Sequence, residues 1–517
     1  MTRTLTLAFV CAAGLHGAPA KGVFNLLDYG ARPDGSARST AAFRAAIAAV
    51  KNAGGGTLYV PPGTYVTGPV ELTSNLVLYI EAGATLRFPA DRSELTYGKG
   101  RLEGVEGITP DPLIGGRNLE NVTITGRGTL TTENAAWVKL MDQPEARSVW
   151  QRIWQDLELK KPVSEEDYKR ATPFLRPSFI RPMESRNILI ENIHIVGSPM
   201  WVIHILYCRN VEVRNITVQS FPGRNADGID IDSSTDVRIS DSWLDTGDDS
   251  ICIKSGRDAD GRRVNRPSEN IAVTNCTIRH GHGAVVLGSE TAGSIRNVVA
   301  SNIVAKDCQR GARIKSGRGR GGTVENIRFD NWVVEDAETG IDVTNYYTRV
   351  PDEPVSERTP VFRNIAITRF TVSRSQMTIN IEGLPEMPVS GLRLDDVVAE
   401  GTRGLRAYNT AGLELRNVRV DPSSGPAFLI RDSAQLELDG VTTGKPDPNA
   451  PVVRLDRCAG ASVRGKVTPG TGTFLSVEPG ALAAITVQNK NALAAAKQPT
   501  VEESVDLWKT PPRPKKK

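Results

Sequence analysis

The sequence predicts an all-β protein, a right-handed parallel β-helix with an N-terminal capping helix, on three observations. Short runs in which Ile or Val alternates with other residues follow an Asn, as at 187–192 and 210–215. These runs return about 22 to 38 residues apart, with no helical pattern between most of them. A second Asn often stands five positions after the first. Short strands repeated at such spacing are typical of parallel coils wound one on another.

The repeat continues through most of the chain. Its copies, the last three of them weaker, begin at Asn187, Asn210, Asn270, Asn297, Asn326, Asn364, Leu392, Leu413 and Leu436. Asn tolerates left-handed backbone at a turn and can hydrogen-bond to the Asn of the next coil. A β-sandwich would require frequent hairpin turns such as Asn-Gly, which are scarce here, and a propeller would require a constant period. Both rival folds therefore fit the sequence less well.

The N-terminal part contains the predicted cap. Residues 40–53 form an Ala-rich amphipathic helix pattern, Ser39 is a plausible N-cap, and the glycines at 54–56 end the helix. A solenoid needs such a cap because its end coil otherwise exposes apolar side chains to water. Residues 136–176 interrupt the repeat with charged, Trp-containing helical sequence. We therefore predict one β-helix domain over 21–488 that carries a helical insertion at 136–176.

Both ends of the chain differ from this domain in composition. Residues 1–20 combine a charged start at Arg3, an apolar run and Ala18-Pro19-Ala20, which is the pattern of a cleaved signal peptide. This pattern predicts export to a periplasm or to the extracellular space. Residues 489–517 are rich in Ala, Lys and Pro and predict a basic, disordered tail. No other segment is long and apolar enough to span a membrane.

Charge and cysteine content exclude two classes of function. The net charge of +4 is concentrated in 489–517, where seven Lys or Arg face three acids, so the domain has no global basic surface for a nucleic acid partner. Five cysteines follow residue 20, an odd number without CxxC spacing, which argues against a disulfide framework or a zinc site. The five are Cys208, Cys252, Cys276, Cys308 and Cys458. Cys252, Cys276 and Cys308 recur at roughly one-coil intervals, and we expect these three to pack as small apolar residues inside the coil.

Four polar motifs follow one another at intervals of one coil. They are Asn225-Ala226-Asp227-Gly228, Gly247-Asp248-Asp249, Gly281-His282-Gly283 and Arg313-Ile314-Lys315. Steps of 21, 33 and 31 residues lead from Asp227 to Asp248, from Asp249 to His282 and from His282 to Arg313. Because equivalent positions on neighbouring coils lie about 5 Å apart, these residues should form one patch on one face.

The patch contains the groups that hydrolysis of an acidic polysaccharide requires. Three carboxylates this close raise the pKa of at least one of them, and that group can act as a general acid beside a basic neighbour. Arg313 and Lys315 would hold an anionic group such as a uronate. Each motif alone is a weak signal, since Asp-Asp is usually a turn. The carboxylates could instead bind calcium, as in a β-eliminating lyase, and a β-helix could bind glycan without catalysis.

The four motifs together, in this order and near this spacing, resemble the signature of glycoside hydrolase family 28, the polygalacturonases. The segment from Asp28-Tyr29-Gly30 to Pro61-Pro62-Gly63-Thr64-Tyr65 is similar to the start of many pectin-active β-helix proteins. The resemblance covers about residues 22–420. It implies a pectin-lyase-like solenoid that hydrolyses α-1,4-galacturonosyl linkages with inversion and without a metal or other cofactor.

The resemblance also implies roles for single residues of the catalytic set. Asp248 matches the general acid, and Asp227 and Asp249 match the pair that activates water. His282 matches the histidine that tunes the ionisation of the acid.

A second set matches substrate-binding residues of the family. Arg313 and Lys315 match the residues that hold the substrate carboxylate beyond the cleaved bond. Tyr347 matches a tyrosine of the same site, although the adjacent Tyr346 leaves the choice open. Asn225 would be a supporting polar residue. The expected partner is an acidic polysaccharide or an oligogalacturonide.

The loop at 254–263 bears on the mode of attack. It is long and rich in Arg, and similar loops occur in exo-acting members of the family. With the 136–176 insertion it could close one end of the groove and bind a chain terminus, so we expect exo-cleavage from the non-reducing end. Rhamnogalacturonan or a decorated pectin stays open as the substrate, because members that act on them share the scaffold. Ser250 stands where fungal members often have a Cys, which bears on stability more than on chemistry.

Overall fold

The computed structural model describes residues 22–158, 164–348, 350–488 and 498–502. The predicted signal peptide and most of the predicted tail lie outside the described residues. Gln498–Glu502, however, form a strand that pairs in parallel with Thr473–Val477. The prediction of a disordered tail is therefore wrong for these five residues.

In these parts of the chain, the strands form three parallel ladders that run the length of the molecule. The first ladder contains Val23–Asn25, Gly56–Val60, Leu76–Ile80, Glu120–Thr125, Arg186–Glu191, Arg209–Arg214, Thr235–Ser240, Ser268–Thr274, Glu437–Thr442, Ala461–Lys466 and Ile485–Val487. The second contains Asp34–Arg38, Gly63–Val66, Ala84–Phe88, Thr129–Thr132, His194–Val196, Thr217–Gln219, Trp243–Thr246 and Thr277–His280. The third contains Val70–Glu71, Ile114–Arg117, Ile180–Met183, Ile203–Leu206, Ile229–Asp232, Ile251–Lys254, Val285–Gly288, Arg310–Lys315, Thr339–Thr344, Phe428–Arg431, Val453–Asp456, Thr473–Val477 and Gln498–Glu502.

Some strands are long enough to continue from one ladder into the next. They are Ile295–Lys306, Thr323–Glu335, Val361–Glu382, Val389–Tyr408 and Glu414–Pro422. The two-residue strand Thr410–Ala411 pairs with the start of Val389–Tyr408. Each coil thus contributes one strand or strand segment to each ladder, which is the predicted parallel coil.

The alternation of apolar residues explains why the coils close around one core. In Arg209–Arg214, Val211 and Val213 are buried while the arginines at its ends are exposed. Equivalent residues of every coil stack on one another, and they join a single apolar cluster from Leu26 to Ile485. Burial of this continuous column stabilises the fold by roughly 25 cal/mol per Å² of apolar surface removed from water.

Asparagine ladders cover the bends between strands, as predicted. Asn270, Asn297 and Asn326 have φ between 56° and 59°, a left-handed conformation that Asn adopts more readily than most residues. Asn297 Nδ2 donates to Asn270 Oδ1 at 3.1 Å, and Asn326 Nδ2 donates to Asn297 Oδ1 at 3.0 Å. These side chains therefore fix the bend of each coil and join it to the next.

Helix α1 (Thr40–Asn52) caps the N-terminal end of the coil. Its buried residues Phe43, Ala46 and Val50 join the apolar column, so the predicted cap is confirmed. Ser39 stands at the N-cap position, but its side chain makes no capping hydrogen bond. The glycines end the helix, since Gly55 N–H bonds to the Val50 carbonyl at 2.9 Å.

Four further α-helices project from the coil within the described residues. Three of them, α2 (Asn134–Met141), α3 (Pro144–Glu158) and α4 (Glu165–Ala171), occupy the stretch of the predicted insertion. The fourth, α5 (Asp258–Val264), lies in the Arg-rich loop. Short 3₁₀ turns occur at Leu26–Tyr29, Thr172–Phe174 and Leu482–Ala484.

An antiparallel hairpin is a further element that the sequence did not predict. Its strands are Tyr97–Leu102 and Val105–Pro110, joined by Glu103 and Gly104. Both turn residues have positive φ, 45° and 85°, as a two-residue type I′ turn requires. The hairpin packs on the insertion and on the coil through an apolar cluster of Leu102, Val105, Ile153, Ala171, Leu175, Met200 and Trp201.

Candidate active site

The three predicted aspartates meet at the entry to the third ladder. Asp227 lies two residues before Ile229–Asp232, and Asp249 lies two residues before Ile251–Lys254. These two strands pair with Ile229 opposite Ile251, so Asp227 and Asp249 occupy equivalent positions on neighbouring coils. One carboxylate oxygen each from Asp227, Asp248 and Asp249 lies within 4.8 Å of the others. The predicted carboxylate cluster is therefore present.

The predicted stacking is correct for His282 but not for Arg313. Asp248 and His282 each lie three residues before paired strands, and His282 Nδ1 is 2.8 Å from Asp248 Oδ1. Arg313 pairs in register with Val286 instead, so it belongs to a row within the strands and not to the row of His282. A sequence step of about one coil concealed this difference, because turns of different length separate the strands.

Lysines from the strands lie against two of the aspartates. Lys315 Nζ is 2.7 Å from Asp249 Oδ2, and Lys254 Nζ is 3.4 Å from Asp227 Oδ2. Both lysines face outward in one row of the third ladder. From coil to coil this row runs Asp232, Lys254, Gly288 and Lys315. Lys254 also lies 3.3 Å from Asp230 and 3.7 Å from Glu290. This arrangement neutralises part of the carboxylate charge.

The environment separates the aspartates in pKa. Burial, with repulsion from Asp230 and Asp248, raises the pKa of Asp227 well above its usual value. Burial also acts to raise the pKa of Asp249, but the charges of Lys315 and Arg313 outweigh it and lower that pKa to about 2. The site thus contains one carboxyl with a raised pKa, as the crowding of three aspartates predicted, and one with a lowered pKa.

His282 is positioned to act on Asp248. The hydrogen bond to Asp248 raises the pKa of His282, although partial burial opposes this effect. Gly283, the next residue, packs closely beside the cluster, since a Cβ there would lie 2.4 Å from Val286 Cγ2 and 3.4 Å from Asp249 Oδ1. The Gly-His-Gly motif therefore brings an imidazole to the carboxylates at a point where a side chain on Gly283 would not fit.

A cationic and aromatic group lies on the next coil. Tyr347 is exposed, and its ring centroid is 5.7 Å from Arg313 Cζ and 5.0 Å from Lys315 Nζ. Tyr346 instead lies by Arg318, away from this group. Of the two tyrosines, Tyr347 is therefore the one that lies beside Arg313 and Lys315.

Asn225 is half-buried at the opposite side of the aspartates. Its Oδ1 accepts a hydrogen bond from Arg176 Nη2 at 2.8 Å. Arg176 also donates to the carbonyls of Pro199 and Arg224, and burial lowers its pKa to about 10. Asn225 therefore joins the end of the helical insertion to the turn that carries Asp227.

Sequence reasoning missed four residues that contact this site: Lys254, Asp230, Glu290 and Arg176. Asp230 and Lys254 alternate with core isoleucines in Ile229–Asp232 and Ile251–Lys254. That alternation indicates an outward-facing row next to the aspartates, and it could have revealed both residues. Glu290 and Arg176 lie outside the strands, and nothing in the repeat marks them.

The expectation for Cys252 is wrong, whereas Cys276 and Cys308 pack as predicted. Cys208, Cys276, Cys308 and partly buried Cys458 pack in or against the apolar column, and all five thiols are free. Cys252 pairs in register with Asp230 and faces outward, with Sγ 3.6 Å from Asp249 Oδ2. Successive side chains of a strand point to opposite faces, and Cys252 points to the face that carries the aspartates.

The hairpin and α5 close one end of the groove. Arg257 N–H donates to the Gly104 carbonyl at 2.9 Å, and Glu106 N–H donates to Asp260 Oδ2 at 2.8 Å. The ends of both elements thus meet beside Lys254 and Glu290. On the other side, beyond Arg313, no described hairpin covers the third ladder.

Comparison with known proteins decides the family. The model of the family "Glycosyl hydrolases family 28" matches residues 57–414. The chain belongs to glycoside hydrolase family 28. This family 28 chain is therefore a glycoside hydrolase, and the resemblance drawn from the four motifs is confirmed.

Relatives of this family 28 hydrolase include named polygalacturonases. A probable polygalacturonase from Vitis vinifera is 32% identical over 388 residues, which cover 72% of this chain and 73% of the relative. An exo-poly-α-D-galacturonosidase from Dickeya chrysanthemi is 27% identical over 399 residues, which cover 72% of this chain and 65% of the relative.

Solved structures of polygalacturonases share the fold. A hyperthermoactive exopolygalacturonase from Thermotoga maritima has 35% identity and a TM-score of 0.71, over 77% of this chain and 91% of that one. A polygalacturonase from Erwinia carotovora ssp. carotovora has 21% identity and a TM-score of 0.55, over 75% of this chain and 95% of that one. The predicted right-handed parallel β-helix is thus confirmed. Where the structure describes this hydrolase, none of its helices has the length and apolar character needed to cross a membrane.

Proposed function

We propose that this family 28 hydrolase cleaves α-1,4-galacturonosyl linkages of polygalacturonate from the non-reducing end, by an inverting acid–base mechanism. The observation that carries the proposal is the carboxylate cluster beside Arg313, Lys315 and Tyr347, with a groove closed at the opposite end. Relatives named as polygalacturonases and exopolygalacturonases support the substrate and the mode of attack. The signal-peptide pattern of residues 1–20 supports action in a periplasm or outside the cell.

Asp248 is the proposed general acid. The Asp248 side chain is 19% exposed, whereas that of Asp227 is 4% exposed, so Asp248 can reach the oxygen of the leaving group. Neighbouring carboxyls can share one proton. Asp227, whose pKa is raised, can supply that proton to Asp248. His282 donates to or accepts from Asp248 and keeps that carboxyl in one orientation.

Asp249 is the proposed base, and Asp227 assists in holding the water molecule. Lys315 keeps Asp249 ionised, because it lowers the pKa of this carboxyl. Lys315 contacts Oδ2, and among the described residues Asp249 Oδ1 has no hydrogen-bond partner. That oxygen can therefore accept a proton from water. Asp249, whose pKa is lowered, beside Asp227, whose pKa is raised, gives the separation of pKa values that acid–base glycoside hydrolysis needs.

Arg313, Lys315 and Tyr347 are the proposed site for the uronate beyond the cleaved bond. A guanidinium and an ammonium together can bind a carboxylate by charge-assisted hydrogen bonds, and the exposed ring of Tyr347 can pack on the sugar. Asp342, 3.3 Å from Arg313 Nε, fixes the guanidinium in this position. Asn225 is proposed to support the sugar on the other side of the bond.

Incubation with polygalacturonate and a chelator tests the proposed function. Galacturonic acid monomer should accumulate from the start, without a gain in ultraviolet absorbance. The configuration of the newly released sugar, followed by NMR, should be inverted. This matters because the close spacing of the carboxylates would equally suit retention, so that inversion rests on the family resemblance.

Other outcomes would reject parts of the proposal. Oligomers of mixed length from the start would reject exo-cleavage, and no cleavage would move the substrate to rhamnogalacturonan or a decorated pectin. Absorbing products that form in a parallel incubation without the chelator, and not in its presence, would indicate a calcium-dependent lyase. Lys254 and Lys315 argue against that mechanism, because they already occupy the positions from which a cation would neutralise Asp227 and Asp249.

Replacement of Lys315 by Met should move the acidic limb of the kcat profile to higher pH. A base works only when ionised, so activity is lost as the pH falls through the pKa of Asp249. Removing the Lys315 charge raises that pKa, by about 1 to 3 units for a charge at such a distance. The pH dependence of kcat at saturating polygalacturonate measures the shift.

Lys315→Arg is the matched control, because it keeps the charge beside Asp249. Both variants should have a raised KM if Lys315 also binds the uronate, but only the Met variant should shift the limb. An acidic limb that coincides in the wild type and Lys315→Met would reject Asp249 as the base.

A further inference from the structure

The turn of the hairpin Tyr97–Pro110 reaches the edge of the active site. A Cβ at Gly104 would lie 2.7 Å from Arg257 Cβ and 2.8 Å from Glu290 Cγ, so the turn packs directly on these two residues. Glu290 is 3.7 Å from Lys254 Nζ, which contacts Asp227. Two side chains, those of Glu290 and Lys254, thus lie between the turn and Asp227.

Buried contacts fix the hairpin in this position. Arg101 Nη1 is 2.7 Å from Asp232 Oδ1 and 2.8 Å from Ser233 Oγ, all within the buried interior. The Tyr207 hydroxyl donates to Glu106 at 2.6 Å, and Arg263 lies 2.6 Å from the other oxygen of Glu106. The turn is therefore a permanent end of the groove, because its movement would break buried ionic contacts.

Glu103 is the residue that the turn presents to the groove. Its φ of 45° is left-handed, and its side chain is 24% exposed. The nearest cation, Arg257 Nη1, is 3.8 Å from Glu103 Oε2, which is longer than a hydrogen bond. The carboxylate oxygens thus stay able to accept hydrogen bonds from a ligand.

The position of Glu103 relative to the cleaved bond follows from the proposed function, on which this inference rests. Arg313 and Lys315 lie on the leaving-group side of the aspartates, towards the C-terminal coils. The hairpin lies on the other side, because Arg101 pairs with Asp232 on the preceding coil. The sugar on that side retains the anomeric carbon and is the non-reducing terminal residue in exo-cleavage.

We propose that Glu103 selects the chain terminus. Its carboxylate accepts a hydrogen bond from the free C4 hydroxyl of the non-reducing terminal galacturonate. A sugar attached at that oxygen would meet the turn, so an internal segment of the chain cannot bind. A terminal residue without the C4 hydroxyl would leave Glu103 without its donor. Glu103 is a specificity residue in this scheme, and the bond cleavage itself remains with the aspartates.

Two trimers test the proposal: trigalacturonate and 4,5-unsaturated trigalacturonate, whose terminal ring has no hydroxyl on C4. The wild type should favour the saturated trimer in kcat/KM by about tenfold to a hundredfold, the range for a hydrogen bond to a charged group. Glu103→Ala should lose this preference, mainly through a lower kcat/KM on the saturated trimer. Glu103→Gln, whose amide oxygen still accepts, should keep part of it.

Glu120→Gln is the matched control, since Glu120 lies on the first ladder in an exposed ion pair with Arg186. It should keep the wild-type preference, and thermal unfolding should be the same for the Glu103 variants and the wild type. An equal preference in wild type and both Glu103 variants would overturn the proposal, as would a wild type without preference. Failure of the wild type to cleave either trimer would instead overturn the proposed function itself.

Discussion

Asp248→Asn should lower kcat on polygalacturonate by about 10²- to 10⁴-fold, the contribution of a positioned general acid. The amide has the size of the carboxyl and can still bond to His282 Nδ1, which lies 2.8 Å from Asp248 Oδ1. It cannot transfer a proton to the leaving oxygen. KM should change little, because Arg313, Lys315 and Tyr347 remain. Steady-state kinetics with a reducing-sugar assay measure both constants.

The chain offers a matched control for this variant. Asp245 Oδ1 lies 2.8 Å from His280 Nδ1, the same contact on the second ladder, outside the groove. Asp245→Asn should therefore leave kcat within about twofold of the wild type, since no proton transfer depends on it. Asp248→Asn that retained more than a tenth of the wild-type kcat would contradict the assignment of the acid.

Asp232→Asn should destabilise the protein by about 3–5 kcal/mol, the cost of leaving a buried charge without its partner. Asp232 is fully buried, 2.7 Å from Arg101 Nη1 and 3.3 Å from His204 Nε2. The variant leaves the Arg101 guanidinium unpaired under the hairpin. Chemical denaturation followed by fluorescence measures the free energy of unfolding.

The effect of Asp232→Asn should depend on pH. Burial acts to raise the pKa of Asp232, but Arg101 and His204 outweigh it and lower the pKa to about 2. Because this value is below the pKa of about 3.9 in the unfolded chain, the stabilisation is complete above pH of about 4 and is lost as the pH falls towards 2. The difference in stability between the wild type and Asp232→Asn should therefore shrink over this range.

An exposed ion pair of the same length gives the comparison. Glu120 and Arg186 are 2.7 Å apart, with side chains 41% and 64% exposed. Glu120→Gln should cost less than about 1 kcal/mol, because solvent screens such a pair. A cost for Asp232→Asn as small as that for Glu120→Gln would show that the buried ion pair does not hold the hairpin.

The sequence alone determined the fold class, the capping helix and the order of the polar motifs. These features are local or periodic: the alternation of Val and Ile fixes which strand face is buried, and a recurrent Asn fixes the bend. Because each coil packs on its neighbours, the repeat also predicts that Asp227, Asp248, Asp249 and His282 meet. The carboxylate cluster could thus be predicted without coordinates.

The register and the contacts between distant segments arise from tertiary packing. The alignment of Lys254 with Lys315 in one row, the outward orientation of Cys252 and the position of Tyr347 beside Arg313 depend on turn lengths that the repeat does not encode. The hairpin and Glu103 reach the site through contacts across more than a hundred residues, as between Arg101 and Asp232. Such pairings follow from the packing of whole elements, and the local sequence of either partner does not specify them.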